Sequence, residues 1–228
     1  MSSIVRGKAV KHSLLIRSLA IVAAAAGLAA CHSKSTSSST PATAAAATVP
    51  PLAQQTLPNP LPSLTVTSAT FTAGGTLPNS MIYNSFGCTG GDQSPQLTWT
   101  AGPTGTTSYA VTVFDPDAPT NVGFWHWLVY NIPSTTTGLA ANIAPTGAPA
   151  GTGTLPIGAS QAMDDYGVQG YGGPCPPVGN GTHTYIFTVT ALGTTITGLN
   201  AATTAALLQF NMDGNILARG QITGTFGQ

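Results

Sequence analysis

The chain has 228 residues, only 5% of them charged, and the charge is unevenly distributed along it. All Lys and Arg residues except Arg219 come before residue 35, and the acidic residues are six aspartates that come after residue 90. From Leu64 onward this leaves a net charge of −5 with histidines neutral (one arginine against six aspartates), which argues against a nucleic-acid partner, because such a partner needs clustered Lys and Arg.

Residues 1–30 are predicted to be a signal peptide. A basic start precedes an apolar stretch over residues 19–30, which is shorter than the ~20 residues that a membrane-spanning helix needs. Leu28–Cys31 resembles a bacterial lipobox, in which the cysteine is lipidated; an ordinary cleaved signal peptide is the alternative. The lipobox predicts a lipid-anchored protein of the bacterial cell envelope that faces the periplasm. Because His32 rather than aspartate follows the cysteine, the outer membrane is favoured.

Residues 31–63 begin with the predicted lipidation site Cys31 and are rich in Ser, Thr, Ala and Pro. Such a composition cannot bury a core, so we expect a flexible tether that links the domain to the membrane. The remaining residues, 64–228, are enough for one domain with a sizeable core.

The elements predicted for residues 64–228 are mostly strands. Apolar stretches rich in β-branched and aromatic residues are bounded there by Gly, Pro, Asn or Asp. One helix is predicted over Ala201–Phe210, before the break at Asp213 and Gly214. The predicted fold class is mainly β, an antiparallel sandwich with small peripheral helices. The predicted strands are Leu64–Phe71, Leu97–Trp99, Tyr109–Phe114, Phe124–Ile132, Tyr185–Leu192 and Ile216–Thr223.

An Asp-Pro-Asp-Ala-Pro segment, residues 115–119, follows the predicted strand Tyr109–Phe114. Its two prolines fix φ and remove backbone donors, which predicts a rigid turn. Two interpretations are open for Asp115 and Asp117. They cap the turn by accepting backbone N–H bonds, or one of them points into a cleft and orients a histidine.

The predicted strand Phe124–Ile132 carries a histidine among aromatic residues. In such surroundings a histidine is more often a hydrogen-bonded core residue than a ligand-binding one, and both interpretations are open for His126. Alternation with period two divides the strand into two faces. The predicted faces are Phe124, His126 and Leu128 on one side, and Trp125, Trp127 and Val129 on the other.

A stiff loop of glycine and proline, residues 170–177, precedes His183 and Tyr185. These two side chains are two residues apart at the start of a predicted strand, so they face the same side. Glycines such as Gly173 let backbone N–H groups approach a ligand closely. We therefore expect His126 and His183 to belong to one pocket.

Cys88 and Cys175 are the cysteines that are left once Cys31 is assigned to lipid. Two cysteines in an exported domain most often pair, so a Cys88–Cys175 disulfide is predicted. Two buried free thiols are the alternative.

Four segments carry sequence motifs in a fixed order: residues 115–119, 125–133, 170–177 and 183–185. In this order they resemble the phosphatidylethanolamine-binding protein family, in its bacterial Raf-kinase-inhibitor-like branch, over residues 64–228. The resemblance implies an antiparallel β fold with a surface pocket that accepts a phosphate-type head group. The ligand-binding residues expected from the resemblance and the loop glycines are Asp115, Pro119, His126, Gly173, Pro176, Pro177, His183 and Tyr185.

Two features depart from the pattern of that family. Thr184 stands where many relatives carry arginine, and the carboxy-terminal segment that closes the pocket in eukaryotic relatives has no clear counterpart. An anion would then be held by imidazolium groups, the Tyr185 hydroxyl and loop N–H groups. Since a carboxylate such as Asp115 favours a charged histidine, we expect anion binding to strengthen as pH falls through the histidine range.

The leading functional hypothesis is a non-enzymatic, envelope-anchored binding module for a small anionic or phosphorylated ligand. A protein-interaction role, such as inhibition of an envelope protease, is the alternative. A hydrolase is less favoured, because the sequence has neither H-E-x-x-H spacing nor a G-x-S-x-G elbow. No cofactor and no metal are predicted, and Asp92, Asp164 and Asp165 are interpreted as turn caps.

Overall fold

The computed structural model describes residues 61–143 and 155–228. The predicted signal peptide, the lipidation site Cys31 and the tether up to residue 60 lie outside the described residues. Eight strands, one α-helix and one turn of 3-10 helix make up the described part of the chain. The elements are β1 (Val66–Thr67), a 3-10 turn (Asn79–Met81), β2 (Leu97–Trp99), β3 (Ser108–Asp115), β4 (Phe124–Pro133), β5 (Gly138–Leu139), β6 (Ser160–Gln161), β7 (Thr182–Leu192), α1 (Ala205–Met212) and β8 (Ile216–Gly227).

Two antiparallel sheets form the framework. The larger sheet has the strand order β6-β4-β3-β7-β8, and the smaller one has the order β1-β2-β5. β-branched and aromatic side chains suit the pleated, half-buried surface of such strands. Buried residues of both sheets share one core, in which Trp99 of β2 contacts Tyr109 of β3 with ring centroids 5.6 Å apart. The predicted mainly β, antiparallel sandwich is confirmed.

Helix α1 covers the other face of the larger sheet, where Leu208 lies in one buried cluster with Tyr130 of β4. The Thr204 side chain accepts a hydrogen bond from the Leu207 N–H and so fixes the start of the helix. Because of this cap, the helix begins four residues later than the predicted Ala201–Phe210. In the part of the chain that the structure describes, no helix is long and apolar enough to cross a bilayer.

Strand β4 contains a bulge at His126. Val113 of β3 pairs with Trp127, but the next residue, Phe114, pairs with Trp125. His126 is therefore an extra residue that opposes no single partner, which is the definition of a bulge. Such a bulge interrupts the alternation of side chains between the two faces of the strand.

The bulge overturns the predicted faces of β4. Trp125 packs against the cluster beneath α1, together with Leu128, whereas Trp127 lies in the core between the sheets. The His126 ring lies beside Tyr185, which belongs to that same core. His126 and Trp127 thus share a side, and Leu128 lies opposite to them.

The segment from residue 62 to residue 77 runs beside β8, at the outer edge of the larger sheet. The Arg219 N–H donates to the Pro62 carbonyl at 3.1 Å, and the Arg219 carbonyl accepts from the Leu64 N–H at 2.8 Å. Farther along, a second β-bridge joins Thr76 of this segment to Thr225 of β8. The predicted strand Leu64–Phe71 is thereby reduced to the two-residue β1, because this stretch divides its hydrogen bonds between β2 and β8.

Candidate functional site

A cavity of about 600 Å³ opens where the end of β3, the start of β7 and several loops meet. The structure brings together all of the predicted ligand-binding residues except Gly173 around it. We call the four buried polar ones the polar floor: Asp115, His126, His183 and Tyr185. The others, Pro119, Pro176 and Pro177, line the walls.

Asp115, the last residue of β3, orients His183 on the neighbouring strand β7. The Asp115 Oδ2 lies 2.7 Å from the His183 Nδ1, and the Asp115 Oδ1 accepts from the Asp117 N–H at 2.8 Å. The other nitrogen of His183, Nε2, lies 2.9 Å from the amide nitrogen of Asn180. Since that amide donates, Nε2 accepts and Nδ1 carries the proton. Asp115 therefore both caps its turn and orients a histidine.

Asp117 and Thr184 hold the two strands together beside the cavity. The Thr184 N–H donates to the Asp117 Oδ2 at 2.7 Å. Neither residue lines the cavity, so Asp117 links its turn to β7 and does not orient a histidine.

His126 is fixed by two hydrogen bonds to Gly172. Its Nδ1 lies 2.8 Å from the Gly172 carbonyl oxygen, and its own carbonyl accepts from the Gly172 N–H at 2.9 Å. A carbonyl only accepts, so Nδ1 carries the proton of the neutral ring. The other ring nitrogen, Nε2, is then an acceptor, and it is buried without a hydrogen-bond partner.

The charge state of His126 differs from the sequence-based expectation. Burial lowers the pKa of His126, against the opposing effects of the Gly172 carbonyl and the Asp115 and Asp165 carboxylates. The Asp115 carboxylate is already bonded to His183. The expected carboxylate-stabilised imidazolium is therefore not favoured at His126, which is neutral in the free protein near pH 7.

Tyr185 lies between the two histidines, with ring centroids 5.2 Å from His126 and 6.5 Å from His183. Its hydroxyl is buried and forms no hydrogen bond of good geometry, although the Asp115 carboxylate is nearby. Burial and then the Asp115 charge raise the pKa of Tyr185, so the hydroxyl keeps its proton. The floor thus holds two polar groups without partners, the Tyr185 hydroxyl and the His126 Nε2.

Four apolar and aromatic residues surround the cavity and were missed by the sequence analysis. We call them the apolar rim: Phe86, Phe124, Tyr166 and Val178. Phe86 is 77% exposed and Val178 is 83% exposed. Tyr166 contacts both Phe86 and Phe124, with ring centroids 5.9 and 4.7 Å apart. Exposed aromatic and aliphatic groups beside a polar floor suit a ligand with an apolar substituent.

The predicted Cys88–Cys175 disulfide is present, with the Cα atoms 5.9 Å apart. It joins the loop that carries Phe86 to the loop that carries Pro176. Gln228 also lines the cavity, and its side-chain amide donates to the Pro176 carbonyl at 2.8 Å. Gln228, from the carboxy-terminal part of the chain, thus forms part of the cavity wall. The sequence analysis had found no clear counterpart of the carboxy-terminal segment that closes the pocket in eukaryotic relatives.

Gly173 has a packing role in place of the expected ligand contact. A Cβ at this position would collide with the Met81 carbonyl oxygen and the Tyr83 backbone nitrogen. The Gly173 N–H donates to the Asp92 Oδ1 at 2.8 Å, so it is not available to a ligand. Asp92, interpreted from the sequence as a turn cap, thus holds a distant loop.

Asp164 and Asp165, both interpreted as turn caps, differ in environment. The Asp165 Oδ2 accepts from the Trp125 N–H at 2.8 Å, and Asp165 lines the cavity. Asp164 is buried behind it and caps its turn, since its Oδ1 accepts from the Val168 N–H at 3.0 Å. The Asp164 Oδ2 has no partner, and burial raises the pKa of Asp164 to about 7, with the negative charge of Asp165 acting in the same direction.

Replacing Asp164 by asparagine is expected to flatten the pH dependence of stability. The folded pKa of about 7 lies above the ordinary value of 3.8, so the folded protein favours the protonated carboxyl. The protonated carboxyl contributes fully to the free energy of unfolding below about pH 4. This contribution, roughly 2 kcal/mol after allowance for solvent screening, is lost as pH rises through 7. Urea unfolding from pH 4 to pH 8 measures this as the difference between Asp164→Asn and the unmodified chain. A difference that stays constant across this range would contradict the prediction.

The lining offers few groups for covalent chemistry. Cys175 is in the disulfide, and the Thr120 hydroxyl donates to the Gly123 carbonyl at 2.6 Å. Over residues 61–143 and 155–228, no group of three or more His, Cys, Asp or Glu side chains could hold a metal ion. Arg219 does not line the cavity. The arrangement can therefore donate a hydrogen bond from a phenol and accept one at an imidazole.

Comparison with known proteins identifies similar chains. The sequence profile described as "Phosphatidylethanolamine-binding protein" matches residues 67–227. The chain is 44% identical to the UPF0098 protein YbcL of Escherichia coli over 162 residues, which are 71% of this chain and 86% of YbcL. It is 40% identical to the UPF0098 protein YbhB of the same organism, over 67% of this chain and 93% of YbhB.

A solved structure and a further sequence relative are also similar to this chain. The crystal structure of E. coli YbcL, titled a new member of the mammalian PEBP family, matches with a TM-score of 0.68 at 41% identity, over 73% of this chain and 99% of that one. LppC of Mycobacterium tuberculosis, whose name classes it provisionally as a lipoprotein, is 36% identical over 55% of this chain and 54% of its own length.

Proposed function

The chain belongs to the phosphatidylethanolamine-binding protein family, and from this premise we propose that it is a binding protein for a small anionic or phosphorylated ligand. A phosphate or phosphoethanolamine-type head group would enter the cavity and reach the polar floor. The observation that carries the proposal is the pair of buried polar groups without partners, the His126 Nε2 and the Tyr185 hydroxyl. Buried polar groups are usually hydrogen-bonded, so a site that leaves two unpaired is suited to a ligand that pairs them.

We propose a binding role rather than a catalytic one. His183 is engaged at both ring nitrogens, by Asp115 and by Asn180, so it is held in place rather than poised to take a proton. The Tyr185 pKa is raised, which makes its hydroxyl a hydrogen-bond donor and a poor nucleophile.

We also propose that the protein is anchored in a bacterial cell envelope through lipid at Cys31, at the outer membrane. The disulfide supports an oxidising compartment such as the periplasm. The similarity to LppC points in the same direction. Metabolic labelling with a radioactive fatty acid, with Cys31→Ser as the control, tests the anchor; equal labelling of both would reject it.

A protein-interaction role, such as inhibition of an envelope protease, is the second candidate. Phe86 and Val178 favour it, because both are large, apolar and exposed beside the cavity. A protease-inhibition screen on the purified protein tests this candidate.

An NMR titration of the imidazoles tests the proposed ligand class. In the mature chain carrying Cys31→Ser, phosphate and then phosphoethanolamine are expected to shift the His126 and His183 signals in a saturable way. Tyr185→Phe should weaken binding roughly ten- to a hundredfold, because a hydrogen bond to a charged group is lost. It should change the unfolding midpoint little, since the hydroxyl forms no hydrogen bond of good geometry in the free protein. Absence of any shift at millimolar ligand would reject the proposal.

A further inference from the structure

The polar floor presents hydrogen-bond acceptors where an oxyanion would need donors. The His126 Nδ1–H is committed to the Gly172 carbonyl at 2.8 Å, which leaves Nε2 as a bare acceptor. The His183 Nε2 accepts from Asn180. An oxyanion oxygen is also an acceptor, so it cannot pair with the neutral His126 unless a proton lies between the two atoms.

No charged group near His126 can take the place of that proton. The carboxylates of Asp115 and Asp165 lie near His126, and a carboxylate offers an oxyanion no hydrogen-bond donor. The neighbouring rings of Tyr166 and Tyr185 keep their phenolic protons, because burial raises both pKa values. None of the described residues that line the cavity is Lys or Arg. A bare oxyanion would therefore meet only the Tyr185 hydroxyl as a side-chain donor on this floor.

We propose that the cavity binds an oxyanion together with one proton, shared between a ligand oxygen and the His126 Nε2, and that it thereby selects phosphomonoester monoanions over sulfate monoesters. This inference rests on the proposed function, which it deepens by naming the protonation state of the bound ligand and the residue that distinguishes it, His126.

Two routes lead to the same complex. A phosphomonoester monoanion brings the proton as a P–O–H group that donates to Nε2. A dianion instead takes up one proton from solvent, which ends in the same hydrogen bond. The composition of the complex is identical, so one proton is bound for each dianion at pH values above the second pKa of the ligand, about 6.

A sulfate monoester has the same charge as the phosphomonoester monoanion but carries no proton near neutral pH. It pairs with Nε2 only if solvent protonates His126, which burial disfavours. The floor therefore discriminates between two ligands of nearly equal shape and equal charge. The basis is the same as elsewhere in recognition: the wrong ligand leaves a buried polar group unpaired.

Phenyl phosphate and phenyl sulfate are the probes that match this cavity. Their shared ring suits the apolar rim, where Phe86 and Val178 are exposed. They differ only in the acid group, so any difference in affinity reports on the floor.

Isothermal titration calorimetry at pH 8, in two buffers of different ionisation enthalpy, counts the protons taken up by the mature chain with Cys31→Ser. We expect about one proton per phenyl phosphate, and an affinity that falls about tenfold per pH unit between pH 7 and pH 8. Phenyl sulfate should bind at least about tenfold more weakly at pH 7.

His126→Gln is the deciding variant, because its side-chain amide can donate to an oxyanion without taking up a proton. Proton uptake and the preference for phosphate should both disappear in it. Asp164→Asn is the matched control. Asp164 has a pKa of about 7 but does not line the cavity, so the proton count must persist in this variant.

The outcomes separate this inference from the proposed function. Binding of phenyl phosphate without proton uptake, or with equal affinity for phenyl sulfate, would overturn the inference and leave the ligand class standing. Loss of the proton count in Asp164→Asn would also overturn it. Absence of binding by either probe from pH 5 to pH 8 would reject the proposed function and the inference together.

Discussion

Replacing both Cys88 and Cys175 by serine is expected to lower the free energy of unfolding by about 4–5 kcal/mol. The disulfide closes a loop across a sequence separation of 87 residues, which restricts the unfolded chain much more than the folded one. Because it also joins two loops that line the cavity, affinity for phosphate should fall in the same variant. Urea unfolding followed by tryptophan fluorescence measures the first effect, and calorimetric titration at a temperature where both proteins are folded measures the second.

The control for this experiment is the unmodified chain treated with a reducing agent. It should unfold at the same urea concentration as the double variant, since both lack the cross-link and both keep small side chains at the two positions. If the double variant lost less than about 1 kcal/mol, the unfolded chain would have to be compact enough that the cross-link restricts it little.

Asp115→Ala is expected to cost about 2–5 kcal/mol of folding stability, because it leaves two buried donors without an acceptor, and to abolish ligand binding. The substitution leaves the His183 Nδ1–H without its acceptor in a site where both residues are almost fully buried. It also removes the acceptor of the Asp117 N–H, which fixes the turn after β3. Thermal unfolding and a phosphate titration of the same sample measure the two effects.

Asp115→Asn separates charge from shape. The amide oxygen can keep the Asp117 N–H bond, and the His183 ring can adopt its other tautomer if the Asn180 amide rotates to accept. We expect a smaller stability loss than in Asp115→Ala, and a change in the His183 nitrogen chemical shifts that reports the other tautomer. An Asp115→Ala variant as stable as the unmodified chain would contradict the structural role of this pair.

The sequence predicted the framework well because its signals are local. β2 coincides with the predicted Leu97–Trp99, and β3 and β4 differ from prediction by a residue at most at each end. Alternating or continuous apolar residues, ended by Pro, Asp or Gly, are sufficient to define such strands. The pairing of Cys88 with Cys175 was also predictable, because so few cysteines leave one choice.

The position of His126 was less predictable, because the bulge depends on how β4 pairs with β3. Period-two alternation places His126 opposite to Trp127, and only the shifted pairing at Phe114 brings the two to one side. The neutral state of His126 was missed for a related reason. Its burial and its bond to Gly172 arise from segments that are distant in the sequence.

The apolar rim had no sequence signal, since Phe86, Tyr166 and Val178 lie in loops with no periodic pattern. Their position follows from tertiary contacts, such as the disulfide beside Phe86. Gly173 shows the reverse error. A glycine in a loop predicts close approach of the backbone, but the structure shows that the approaching group is another backbone segment.

The covered edge of the larger sheet has a consequence for how the protein behaves in concentrated solution. Its outer strands are β6, with two residues, and β8, with twelve. A bare strand as long as β8 is a template for intermolecular pairing and aggregation. Residues 62–64 and 74–77 cover parts of that edge with their own backbone hydrogen bonds. This stretch, which lies outside the four sequence motifs, thus covers backbone groups of β8, and we expect a chain shortened into it to aggregate through that strand.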